Sequence, residues 1–170
     1  MKCIRVLLLV VIPFVCMTGI GQPQEVSKPS EASASDNFDS VANAALLAMR
    51  ARAEELKIGG VAVVAYFSGD TLQSWSSKMI VVGRYKDAPT NADKGSNLLG
   101  IAYAKAAEMA DTLHDSGSNV RSPMTGEFGW NGGVIAHGRA GYLIAAFSGG
   151  KSEDDVQVSR AGLSKLKEGL

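Results

Sequence analysis

His114 and His137 are the only two histidines in the chain, and imidazole is a common ligand for haem iron and other metals. His137 opens a Gly-containing turn, His137-Gly138-Arg139-Ala140-Gly141, where an ordinary turn residue is the competing reading. His114 sits at the end of an Ala-rich helical stretch, where a cation complements the helix dipole. Neither belongs to a His-x-x-x-His pair or a carboxylate pairing at helical spacing, so a two-histidine zinc site would lack its further ligands. Lys105 stands on an apolar helix face, either as a cation facing a ligand or as a lysine whose stem packs along a sheet. Asp155 follows Glu153 and Asp154 at a helix start, where carboxylates satisfy free backbone N–H groups. Trp75, Tyr66, Phe128 and Trp130 are candidates to wall a flat pocket, with plain core and interface as the alternative.

Two further patterns imitate catalytic motifs and fail on chemistry. Ala146-Phe147-Ser148-Gly149-Gly150 has the strand-to-helix setting of a nucleophile elbow, but no histidine follows Ser148 to act as its base. Gly150-Lys151-Ser152 ends like a phosphate-binding loop, yet position 145 is alanine and three carboxylates follow at once. No nucleophile, base and acid can be read together, so no enzyme activity follows from these residues.

The elements that must position these side chains are legible from period and punctuation. Val41, Ala45, Leu46, Met49, Ala53 and Leu56 recur at helical spacing from Ser40, and Gly59-Gly60 is expected to stop that helix after Lys57. Val61–Phe67 reads as an apolar strand, with Ser68-Gly69-Asp70 turning it into a second strand from Thr71 to about Arg84. Trp75, Met79 and Val81 would share one face of that strand. Tyr85–Lys94 is a polar loop, Asn97–Asp115 a long helix, and Ser116–Gly129 irregular. Val134-Ile135, a turn and Tyr142–Phe147 form a hairpin. Ser148-Gly149-Gly150 ends it, and Ser152 is the expected hydroxyl cap of the last helix. The order αββαββα predicts an α+β fold, an antiparallel sheet flanked by helices.

Residues 1–21 read as a signal peptide, with Lys2 and Arg5 before an apolar run to Met17 and small residues at Gly19 and Gly21. Cys16 raises lipidation as an open question, since the bulky Phe14 and Val15 precede it. The apolar run is shorter than the roughly 20 residues a bilayer span needs, so no stable membrane span is expected after cleavage. Residues 22–38, rich in Ser, Pro, Glu and Ala, read as a flexible spacer, leaving 39–170 as one domain. Both cysteines lie in the leader, so the exported domain would have no disulfide and no thiolate chemistry. The full chain has 17 basic and 17 acidic residues, and losing Lys2 and Arg5 leaves a charge of about −2. That balance argues against a nucleic-acid partner. A periplasmic or secreted location follows from the leader.

With this order in place, the sequence resembles the GlcG/HbpS-like family, which includes the C-terminal domain of PduO-type proteins. Val61-Ala62-Val63-Val64 after a Gly pair is similar to the family's first strand, and Ile101-Ala102-Tyr103-Ala104-Lys105-Ala106 to its helix motif. The tail is nearest: Gly132-Gly133-Val134-Ile135, Ser148-Gly149-Gly150, Asp155 and Ala161-Gly162-Leu163. The likeness runs from about Ala42 to Leu166. It implies a profilin-like fold, binding of haem or a corrinoid, and homo-oligomers; haem degradation is carried by some members' label. Through it His137, Lys105, His114, Trp130 and Asp155 become candidate cofactor-binding residues. The pattern departs at Ala65-Tyr66-Phe67, where the family usually has Asp, and at Lys78-Met79, where an Arg-Met-Asp-Gly run is missing. Glu108-Met109 stands where a Thr is usual, and the stretch from Lys78 to Leu98 is long. The function implied is an exported small-molecule-binding protein with a tetrapyrrole ligand. The alternative is a non-enzymatic module that self-associates or docks on an envelope partner.

Overall fold

The computed structural model describes residues 31–170, with side chains from residue 37 onward. The leader over residues 1–21, Cys16 and the first part of the spacer lie outside the described residues. Helix α1 spans Glu31–Glu55 and so begins inside the stretch read as a spacer. Phe38 explains the difference: with Ala42, Ala45, Leu46 and Met49 it continues the helical apolar stripe, and it is buried.

The end of α1 also differs from expectation. Lys57 takes the left-handed conformation at φ 56°, its N–H donates to the Glu54 carbonyl, and the Ile58 N–H donates to the Ala53 carbonyl. That is a Schellman closure carried by a lysine. The glycine pair serves a different end. A Cβ on Gly60 would meet the Gly149 Cα at 2.9 Å, so the chain at Gly60 and the turn at Gly149 can touch only without side chains.

Strand β1 (Gly60–Ser68) is buried along nearly its whole length, and β2 covers Ser76–Val82. Residues 71–75, expected as strand, are not, because the β1–β2 ladder ends at Tyr66 opposite Ser76. The stretch read as a polar loop opens a small hairpin, β3 (Lys86–Asp87) with β4 (Ser96–Asn97), whose second strand includes Asn97, expected as the first helical residue. Asn97 then caps α2 (Leu98–Thr112) by accepting the Gly100 N–H at 3.0 Å. β5 (Gly133–His137), β6 (Gly141–Ser148) and α3 (Ser152–Gly169) complete the chain.

The main sheet has the order β2-β1-β6-β5 and is antiparallel throughout. Alternate residues divide the core. Ala62, Val64, Leu143 and Phe147 face Met49 of α1 and Val158 and Leu166 of α3, while Val61, Val63, Ile144 and Ala146 face Ala102, Ala106 and Met109 of α2. This is an α+β fold with helices on both faces of the sheet, in the expected αββαββα order apart from the small hairpin. Met79 lies opposite Val63 and Val81 opposite Val61, so both lie on the α2 side of the sheet, and Trp75 packs beside that core.

The free edge of β5 is closed by the chain leaving α2. Asp115 Oδ1 accepts the Ile135 N–H, Ser116 Oγ accepts the Gly133 N–H, and the Ser116 N–H donates to the Gly133 carbonyl. An edge occupied this way cannot template a further strand.

Candidate functional site

Lys105 and Asp155 meet across the layers of the fold. Lys105 leaves α2, passes Gly132 at the mouth of β5, and donates to Asp155 Oδ2 at 2.9 Å and the Phe147 carbonyl at 2.8 Å. Each residue is only 3% exposed. The other carboxylate oxygen of Asp155 accepts the Gly150 N–H at 2.8 Å, and Ser159 Oγ donates to the Gly132 carbonyl at 2.6 Å. Burial pushes the Asp155 carboxyl up from its ordinary value, while Lys105 and the N–H groups of Gly150 and Gly149 pull it down. Burial likewise lowers Lys105, and Asp155 opposes that shift. The pair is a buried, hydrogen-bonded salt bridge joining α2, the end of β6 and the start of α3.

The start of α3 differs from expectation. Ser152 is the first helical residue, not the cap; Lys151 occupies the cap position and makes no side-chain cap bond. Asp155 does the work instead, reaching back to the Gly150 N–H, in a position where the helix dipole favours negative charge.

Next to this pair lies a cleft of about 180 Å³. Its walls are Ile101 and Lys105 of α2, the Ser148–Gly150 turn, Ser152 and Asp155 of α3, Asp87 and Ser96 of the small hairpin, and Trp130 with Asn131. Arg84 ties two of these walls together: Nε donates to Asp87 Oδ1 at 2.6 Å and a terminal nitrogen to the Gly149 carbonyl at 2.8 Å. Its other terminal nitrogen holds the Gly59 carbonyl at 2.6 Å.

The segment between α2 and β5 supplies Trp130 and is held by its own charge network. Arg121 bonds Asp111 Oδ2 at 2.6 Å and Glu127 Oε2 at 2.7 Å. Glu127 Oε2 also accepts the Met124 N–H at 2.8 Å, and Glu108 Oε1 accepts the Gly117 N–H at 2.9 Å. Arg121 holds the Glu127 carboxyl down to about 2, from an ordinary 4.5. A carboxyl depressed on folding adds stability that is complete above its unfolded value and is lost as pH falls through its folded value. The segment should therefore keep its order above about 4.5 and loosen between there and about 2. Hydrogen exchange at the Met124 amide checks this: an equal protection factor on both sides of that window would contradict it, and Glu127→Gln should loosen the segment at neutral pH.

Of the five candidate residues, Lys105, Asp155 and Trp130 line one cleft, and the two histidines are elsewhere. His137 is exposed at the end of β5, its ring edge-on to Tyr142 at 5.0 Å. His114 is exposed two residues beyond α2, with Nδ1 2.7 Å from the Thr112 carbonyl oxygen; the helix ends at Thr112, and Leu113 takes φ 56°. The four aromatics considered as one wall are split. Tyr66 pairs with Phe38 on the α1 side, Trp75 with Tyr103 on the α2 side, and Phe128 with Trp130 beside the cleft. Among the described residues no group of three or more His, Cys, Asp or Glu side chains is placed to hold a metal ion. No helix among them is long and apolar enough to cross a membrane.

Arg84, Arg121 with Glu127, and Ser159 escaped the sequence reading. Only Gly132 left a signal, as half of a Gly pair read as the opening of a strand. Compared with protein-family models and with curated proteins, the chain matches none.

Proposed function

We propose that the protein is an exported small-molecule-binding protein whose ligand enters the cleft beside the Lys105–Asp155 pair. One observation carries the reading. Three elements and the Trp130 segment converge on a single polar cleft whose walls are fixed by hydrogen bonds before any ligand arrives. Rigid walls lower the ordering cost of binding.

The likeness to GlcG/HbpS-like proteins makes a tetrapyrrole the first ligand to test, and the cleft limits how it would bind. Its 180 Å³ is below the roughly 300–1,000 Å³ of pockets that engulf drug-sized ligands. Neither histidine lines it, and the charge of Lys105 is already met by Asp155. A buried, axially ligated haem does not fit these residues, so a tetrapyrrole would have to rest outside the cleft, across its mouth against Trp130.

Native mass spectrometry of the protein purified from its own source tests the cleft. A bound non-protein mass is expected, and Ser96→Trp, which fills the mouth, should abolish it. A ligand-free mass in the unaltered protein overturns the reading. Haemin added to the purified protein then tests the ligand: a saturable Soret shift supports the tetrapyrrole, and its absence removes it.

The alternative is self-association, and exposed Val120, Met124, Phe128 and Trp130 in one segment favour it. Light scattering distinguishes the two, since Phe128→Ser should lower the mass of an oligomer formed there and leave a monomer unchanged.

A further inference from the structure

From the open edge of β2 we infer that the protein pairs there with a second copy of itself, strand against strand about a two-fold axis at Met79. The inference stands apart from the cleft, because no residue of Ser76–Val82 lines it.

The hydrogen-bond alternation decides which groups face outward. The Phe147 N–H donates to the Gly132 carbonyl, so Phe147 turns its backbone toward β5. Its partner on β1, Ala62, therefore turns toward β2, where it meets Ile80. Counting by twos, Ser76, Lys78, Ile80 and Val82 bond β1, while Ser77, Met79 and Val81 point their N–H and C=O groups away from the sheet. Among the described residues no strand but β1 lies beside β2, and nothing bonds these outward groups.

Proteins blunt such an edge with a bulge, a proline or an outward lysine, and β2 has none of these. Its ladder with β1 runs unbroken from Gly60 opposite Val82 to Tyr66 opposite Ser76. Its one charge, Lys78, is drawn back onto α1, 3.2 Å from Asp39 Oδ2 and 3.3 Å from Asn43 Oδ1. Leu47, next in that α1 row, is 58% exposed, and Val81 on the other face is 38% exposed. An added strand would find apolar cover on both faces.

The occupant follows from self-matching. About a two-fold axis at Met79, the two methionines face each other and Ser77 meets Val81 of the second copy, so every outward N–H finds an outward C=O. Lys78 falls opposite Ile80 of the second copy, so like charges do not meet. The contact occupies the open edge of both copies and closes as a dimer.

Light scattering on the purified protein should give twice the chain mass at about 0.1 mM, a high concentration chosen because a one-strand contact is at the weak end of specific interfaces. Met79→Lys sets two like charges face to face, and Ser77→Pro removes an outward N–H without touching the β1 ladder. Each should return a single-chain mass, with circular dichroism confirming the fold, while Phe128→Ser should leave the pair intact. Hydrogen exchange on the unaltered protein locates the contact. The Ser77, Met79 and Val81 amides should be slow in the concentrated sample and fast after about a hundredfold dilution, with Ile80 slow in both. A single-chain mass in the concentrated unaltered protein overturns the inference. So do outward amides that exchange alike at both concentrations: fast ones mean an empty edge, slow ones a different occupant. A double mass that survives both β2 variants, or that Phe128→Ser abolishes, also overturns it and moves the interface elsewhere.

Discussion

Lys105→Ala should lower the unfolding free energy by about 3–5 kcal/mol, because it leaves the Asp155 carboxylate buried without its cation. Asp155→Ala should cost a similar amount, stranding the ammonium at the same place and freeing the Gly150 N–H. Both partners are shifted by burial toward their neutral forms, against the attraction between them. The pair is thus a poor source of net stability and a severe penalty when halved. Replacing both at once, as Lys105→Met with Asp155→Leu, should restore most of the loss, since an apolar pair of similar volume removes two desolvated charges. Urea midpoints of the two single variants and the double variant measure the coupling directly. Additive losses would show that the two side chains act independently, and the account of a shared buried contact would then fail.

Short-range interactions leave their mark on the order of residues, and long-range ones do not. The alternation of Val61, Val63 and Ala65 against Ala62, Val64 and Tyr66 is local, and so is the three-and-four spacing along α2; both show in the order of residues and in the fold. The sequence pattern puts the start of the first helix too late because Ser and Pro near it resemble a spacer, while Phe38 gains meaning only by packing on Tyr66 from β1. The Gly59-Gly60 pair reads as the stop after Lys57 because glycine is the usual left-handed residue, but Lys57 itself takes that conformation and the glycines answer to a different contact. Lys105 and Asp155 were each singled out, but 50 residues separate them, and nothing in the spacing says that one charge cancels the other. The histidines drew attention by chemistry alone, and chemistry without position says little. Arg84 and Arg121 look like ordinary surface cations until the carbonyls and carboxylates around them are seen.

Gly132→Ala should be one of the costliest single changes beside the cleft. Its φ of 133° lies where side chains are rarely tolerated, and a Cβ there would run into the Lys105 ammonium and stand 2.9 Å from the Asp155 Cβ and 3.0 Å from the Phe147 carbonyl. The same residue accepts the Phe147 N–H at 3.1 Å and the Ser159 hydroxyl, so it cannot shift without breaking the β5–β6 ladder. Lys105 can reach α3 because this one position has no side chain. Gly132→Ala should therefore cost about 3 kcal/mol or more, combining backbone strain with displacement of the ion pair. The strain alone would persist in a chain where the pair is already gone. Placing Gly132→Ala in the Lys105→Met, Asp155→Leu background separates the two parts: the penalty should shrink but not vanish. A penalty of the same size in both backgrounds would mean that the opening at Gly132 is not what lets the lysine through.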